Sequence, residues 1–588
     1  MKALTRLLMF AACSSILLFS CQREEISPDK SPQEVNGKNE ISSNFDDQIV
    51  LGKQQPIAFA LENVEAAYQK LYPGTRKEKL KPTHLYIRFL PKTDEEATLI
   101  MKDDLELFGY PLDYDVEQWG EYYHDPSIPE GQPTWMYTVV EATYKLPKGI
   151  ETEIIEELHF PDESDMEEQG RYDITNLTAT ALQQAGYKED AAYVRKSQSA
   201  RRYDPRGTIL IQDRITTTTG DITYRALPVW GVKIRAARHL KVKTTYTNEN
   251  GFFNMDHGNF SNKVDINLVF ENGECRIFNT DETKLGRYFA TRKHLGQYQR
   301  GGMESIQYTI GGPGQPHDNG VVWGLTITAL RDFISQGLAN GTYRPPKLNI
   351  YVDDENDNVS SGAAPMAAYF ATPKNIVESL IINVALTPIG GLVSGLAQSL
   401  APDMIINFNP NNFRTNEIME TIYHEIGHTS HFSQNGRGFT MNVYNAYLDV
   451  QLKNRPSPYG NGTESRAGLM ALTEAWGEYI GAELAHRRYG SITAIHQNDI
   501  EAYNPNSGRV FAWIPEGVMH DLQDNVNAVD RQPLINVTDN TNGFTTSQFA
   551  NALDSDVNTI GKFEARLLQE TGNRQRTQVN QLFNSYGY

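Results

Sequence analysis

Cysteine is nearly absent: Cys13, Cys21 and Cys275 are the only three in 588 residues. That is too few for a disulfide scaffold or a zinc site of four thiolates. No G-x-S-x-G occurs, which argues against a serine hydrolase. Gly311-Gly312-Pro313-Gly314 is not followed by Gly-Lys-Ser/Thr, so it is not a phosphate loop. Positive charge is short as well: 54 Lys and Arg face 73 Asp and Glu, for a net charge of −19. An acidic surface argues against nucleic acid and anionic lipid as main partners. One uncharged run, Ser379 to Pro402, is long enough to span a bilayer. It is broken by Pro388, Gly390, Gly391 and Gly395 and lacks basic flanks, so it reads as a buried or substrate-side loop. From Asp354 the pattern D-x-N-x-N appears, but Val359 and Pro365 stand where a calcium loop needs Gly and Glu. An exposed turn is the better reading.

What is present is ordinary globular material, with 39% hydrophobic and 22% charged residues. The length allows about three to five domains. Lys2 and Arg6 precede an apolar stretch, Leu7 to Phe19, of signal-peptide length. Leu18-Phe19-Ser20-Cys21 resembles a bacterial lipobox, with Phe19 where a small residue is usual. Cys13 follows too short an apolar run to be the favoured site, and an ordinary secretory signal is the alternative. The resemblance implies cleavage before Cys21 and lipidation of that cysteine, with the acyl chains as a membrane anchor. Gln22-Arg23-Glu24-Glu25 is similar to the acidic export signal of some surface lipoproteins. Together these imply an outer-membrane lipoprotein of a Gram-negative bacterium, exposed at the cell surface. Residues 22–50 are polar and Pro-containing and read as a flexible tether.

The chain then divides into a multidomain α/β and all-β pattern. Residues 51–204 suggest a small α+β N-terminal domain and linker. A helix is expected over Ala58–Leu71 and strands over His84–Phe89 and Trp135–Val140. Its basic end, Arg195-Lys196-Ser197-Gln198-Ser199-Ala200-Arg201-Arg202, reads as a solvated linker or as a processing site that frees a propeptide. Residues 205–285 show short strands with turns between them, as in a β-sandwich. Pro228-Val229-Trp230-Gly231-Val232 and Thr247-Asn248-Glu249-Asn250-Gly251-Phe252-Phe253 resemble the carboxypeptidase regulatory-like, transthyretin-like sandwich. Asn248 stands where that family usually has Asp. The resemblance implies a structural module.

Residues 286–588 carry the chemistry. His424-Glu425-Ile426-Gly427-His428 matches H-E-x-x-H. On a helix, residues four apart share a face, so both imidazoles can point at one metal ion. Glu425 is then placed to act on a water bound there. Ile418, Ile422 and Ile426 recur at helical spacing, and Met404–Phe408 before them reads as a strand. A catalytic zinc takes a third protein ligand. His431 is seven residues beyond His424, about 10.5 Å along a helix, and reads as a neighbour of the ligands or a surface residue. A carboxylate from the predicted helix Leu469–Arg487 is preferred. Glu474 and Glu478 share one face of it, so one can bind the metal and the other can fix a ligand His tautomer. Glu464 is the rival, in a Gly- and Ser-containing loop.

Glu474-Ala475-Trp476-Gly477-Glu478 resembles the corresponding segment of gluzincin metallopeptidases of the fungalysin and thermolysin-like groups, with Ala475 for Gly and Glu478 for Asp. The resemblance spans about residues 400–490. It implies an α+β zincin catalytic domain, Zn2+ held by His424, His428 and Glu474, and Glu478 behind a ligand histidine. It further implies hydrolysis of peptide bonds in extracellular proteins or peptides, with Glu425 activating water. Tyr503 and His520 are candidates for stabilising the oxyanion. The competing expectation is a surface-anchored lipoprotein that binds peptide or glycan around a structural or inactive metal site.

Overall fold

The computed structural model describes residues 48–588, apart from 75–78, 121, 130–131, 197–203, 218, 257, 259, 261, 280–287, 313–317, 339–346, 354–360, 372–397, 409–413, 454–458, 491–512 and 525–536. Cys13, Cys21, Tyr503, the D-x-N-x-N stretch and most of the uncharged run lie outside the described residues. Among those described, no helix is long and apolar enough to cross a membrane.

The chain is mixed α/β with several open sheets. The first part contains β1 (Val50–Gln54), α1 (Leu61–Leu71), β2 (His84–Leu90), α2 (Asp94–Met101), β3 (Tyr114–Gln118), β4 (Met136–Glu141) and β5 (Glu151–Leu158). α3 (Ile174–Gln184) and α4 (Lys188–Lys196) follow. The sheet order is β4-β2-β5, all antiparallel, with β1 and β3 paired separately. Val64, Ala67 and Tyr68 recur at helical spacing and form the buried stripe of α1. Asp173 caps α3 by accepting from the Asn176 amide at 2.9 Å.

Two four-stranded sheets come next. One has β6 (Arg206–Thr216) at its centre, flanked by β7 (Ile222–Pro228) and by the short β10 (Phe252–Asn254). The other contains β8 (Lys233–Arg238), β9 (Lys241–Tyr246), β11 (Lys263–Val269) and β13 (Arg292–Gln299) in the order β13-β11-β8-β9. β6 alternates strictly, with Ile209, Ile211 and Ile215 buried, and Val264, Ile266 and Leu268 of β11 join the same core.

Backbone pairing continues across residue 285. β12 (Cys275–Asn279) runs parallel to β15 (Leu348–Asp353), and β14 (Ile306–Ile310) runs parallel to β6. The third four-stranded sheet has the order β12-β15-β17-β16, with β17 (Met404–Asn407) parallel to β15 and β16 (Ser361–Ala363) antiparallel at the edge. Helices α5 (Gly320–Ser335), α6 (Thr415–Leu452), α7 (Ala467–Tyr489), α8 (Val518–Gln523), α9 (Thr546–Ala552), α10 (Ile560–Glu570) and α11 (Arg576–Ser585) complete the fold.

This third sheet is buried on both faces, as its Val- and Ile-rich strands require. Ile277, Ile350, Val352, Met404 and Ile406 face the core that holds the helices. The alternate residues Phe278, Tyr351 and Ile405 pack with Ile87, Phe89, Ile100 and Met136 of the first part. The one cysteine among the described residues, Cys275, is fully buried, and burial pushes its thiol far up.

Candidate metal centre

The H-E-x-x-H sequence sits in α6, near its first end. That end is pinned to β6: the Thr415 hydroxyl donates to Asp213, and also to the Arg214 carbonyl at 2.9 Å. Asp213 is fully buried and pairs with Arg225 at 2.5 Å. Gly436, with φ of 79° and ψ of 177°, interrupts α6 and splits it into two helical pieces. Glycine tolerates this backbone and larger residues resist it.

His424, Glu425 and His428 are all buried, and one ligand atom from each lies within 4.8 Å of the others. Helix α7 brings the next carboxylate. Glu474 Oε2 is 3.6 Å from His424 Nε2 and 3.7 Å from His428 Nε2. Four donors at zinc bond lengths on a tetrahedron are separated by about 3.3 Å, so both distances from Glu474 Oε2 stand near the spacing one ion would draw together. Among the described residues, neither ring nitrogen of His428 has a hydrogen-bond partner. The donor set of two imidazoles and a carboxylate suits a divalent metal of the zinc type.

The electrostatics agree with that reading. Burial alone would raise the Glu474 carboxyl, but His428 and His424 outweigh it and hold the group well below the usual carboxylate range. Glu474 is therefore ionised. Glu478 Oε1 lies 3.4 Å from His424 Nδ1. A proton on Nδ1 facing that carboxylate would leave the Nε2 lone pair for a metal ion. The Tyr447 hydroxyl donates to Glu474 Oε1, which leaves Oε2 facing the histidines.

The close approach of α6 and α7 depends on glycines. A Cβ at Gly477 would stand 2.7 Å from His424 Nε2 and 2.8 Å from Cε1 of both His424 and His428. One at Gly427 would meet Ile480 at 2.3 Å, and one at Gly481 the Glu420 carbonyl at 2.9 Å. Trp476 Nε1 donates to the Gly427 carbonyl at 3.0 Å and ties the two helices together. On the other side, edge strand β16 lies against Glu425. A Cβ at Gly362 would come within 2.4 Å of Glu425 Cγ and 2.7 Å of Oε1.

His431 is buried rather than on the surface. Its ring packs against Phe439 at 4.8 Å, and burial with His428 nearby pushes its pKa down to about 3. It is thus a buried neighbour of the ligands, one of the two places expected for it, with Phe432 and Phe439 from the two pieces of α6 beside it. Glu464 is held by its own turn, where its Oε2 accepts from the Asn461 amide at 3.2 Å. His520 is half-buried on α8, a short helix that packs against α7. Tyr447 and Gly362 were not singled out in the sequence, and Gly477 was read only as part of the Glu474–Glu478 segment. Of these, only Gly477 carried a local signal, as a glycine between two carboxylates on a helix.

Comparison with protein families, curated proteins and solved structures gives no match for this chain.

Proposed function

We propose that this chain is a metal-dependent peptide hydrolase of the gluzincin kind. The observation that carries the reading is the convergence of His424 Nε2, His428 Nε2 and Glu474 Oε2 at 3.6 and 3.7 Å, with Glu425 beside them. A divalent ion held by these three groups, zinc by preference, supplies a Lewis acid for the scissile carbonyl. Glu425 takes the proton of the attacking water and returns it to the leaving amine. Glu478 holds the His424 tautomer, and Tyr447 holds the rotamer of Glu474. Among the described residues strand β16 pairs with β17, and a Cβ at its Gly362 would meet Glu425. An extended peptide laid along that edge would bring its backbone to the base, which favours a peptide as substrate.

The test is cleavage of an unbiased peptide mixture, beside the Glu425→Gln variant and a chelated sample, with metal content measured in each. Cleavage by the parent alone, with metal retained in Glu425→Gln, supports the hydrolase. Bound metal with no cleavage in any sample favours the second reading, a peptide- or glycan-binding protein with a structural site. Retention of Glu425, which a structural site does not need, favours the hydrolase. The apolar start and the Leu18–Cys21 stretch support a further proposal, that the chain acts while lipid-anchored through Cys21 at the outer membrane. Labelled fatty acid should enter the protein and fail to enter Cys21→Ser. Equal labelling of both would refute the anchor.

A further inference from the structure

The β8–β9 hairpin has an unusual tip. His239 and Leu240 form its two-residue turn with φ of 51° and 64°. Such turns select Gly, Asn or Asp, since other side chains resist positive φ. A bulky pair persists there only if the surroundings hold it.

The surroundings belong to the first part of the chain. Leu240 is buried in the core formed by α1, β2, β5 and α3. His239 Nε2 lies 2.6 Å from Asp190 Oδ2, and Arg238 reaches the same oxygen at 3.0 Å. Lys241 meets Asp162 at 2.7 Å, and Lys243 meets Glu163 at 3.0 Å. At the far end of the hairpin, Lys233 and Arg235 share Glu106 at 2.6 and 2.9 Å. In these pairs every acid comes from residues before 196 and every base from the hairpin. Most are at least partly buried, so salt screens them weakly.

A second contact is apolar. Ile87, Phe89 and Met136 cover Phe278, Tyr351 and Ile405 on one face of the third sheet, and all six are buried. Baring that face would expose a large contiguous apolar surface. It is the face opposite the core that holds α6.

We infer that residues 48–196 are a permanently docked part of the molecule, locked by the β8–β9 hairpin, and not a releasable propeptide. Cleavage of the basic connection between Lys196 and Asp204 would yield two chains that stay together. The test uses the full chain with the recognition sequence of a site-specific protease in place of residues 198–201. The folded protein is cut and passed over a sizing column in 0.15 M and in 1 M NaCl. Both pieces should elute together at the volume of the uncut protein in both buffers. Separation in either buffer overturns the proposal. In the cut protein, Leu240→Asp should release the N-terminal piece. Retention equal to that of the parent would overturn the hairpin as the lock. The result for the parent hairpin stands even if that variant does not fold.

Discussion

Gly477 offers the sharpest test of the site, because two effects of one methyl group act with opposite sign. In Gly477→Ala the new Cβ would lie 2.7 Å from His424 Nε2 and 2.8 Å from His428 Cε1, where ordinary contact starts at 3.4 Å. The shortfall is 3.4 − 2.7, about 0.7 Å, and metal sites tolerate ligand displacements of only about 0.2 Å. Without metal, both imidazoles can turn aside. The helix interior then gains about 0.8–1.0 kcal/mol from replacing glycine. With metal bound the rings are pinned, and overpacking costs about 1–3 kcal/mol, a loss of about 5–150-fold in affinity. Metal affinity is read by competition with a chromophoric chelator, and thermal unfolding of the chelated protein is read alongside. The expected result is weaker metal binding with an unchanged or higher melting temperature for the metal-free form. Affinity within twofold of the parent, in a folded variant, would refute the argument that Gly477 makes room for the ligands.

Three other outcomes follow from the same geometry. Tyr447→Phe removes the hydroxyl that holds Glu474 Oε1 and should weaken metal binding by about 10-fold or more; unchanged affinity would show that the carboxylate orients itself. Gly362→Ala should keep the metal and lose most hydrolysis, because its Cβ would displace Glu425 and not the ligands; full activity would count against that contact. His294 stacks on Trp119 at 3.9 Å, and burial pushes its pKa down to about 4. The fold therefore favours neutral His294, and the stability this gives is complete above about pH 6.5 and is lost as pH falls toward the folded value. The melting temperature of His294→Phe should fall less steeply than that of the parent between pH 6.5 and 4, and parallel curves would refute the assignment.

The elements near the site were legible because their signals are local. Ile418, Ile422 and Ile426 mark one helix face, and the two histidines four apart inherit its geometry. Leu469–Arg487 reads as a helix and is found as Ala467–Tyr489. The strands expected over His84–Phe89 and Met404–Phe408 are found as His84–Leu90 and Met404–Asn407. Long-range relations were not legible. The parallel pairing of β6 with β14 joins residues almost a hundred apart, and no residue in either strand announces its partner. The break at Gly436 and the enclosure of His431 depend on how α6 turns back on itself. Tyr447 reaches Glu474 only because of that turn, and Gly362 meets Glu425 only because β16 lies at the sheet edge.

The two-sided burial of the third sheet sets an order of events during synthesis. The strand face carrying Ile87, Phe89 and Met136 is made about 270 residues before Ile405, which it must cover. At about 5–20 residues per second, that is a wait of roughly 13–54 s with an apolar face unpaired. Leu240 arrives much sooner, so the hairpin can seat while the rest of the sheet is still unmade. Until β17 is made, the apolar face of the first part stays partly uncovered, and the hairpin is the earlier of its two contacts to be completed. Damage far downstream, in β15 or β17, would show first as loss of the N-terminal part to proteases.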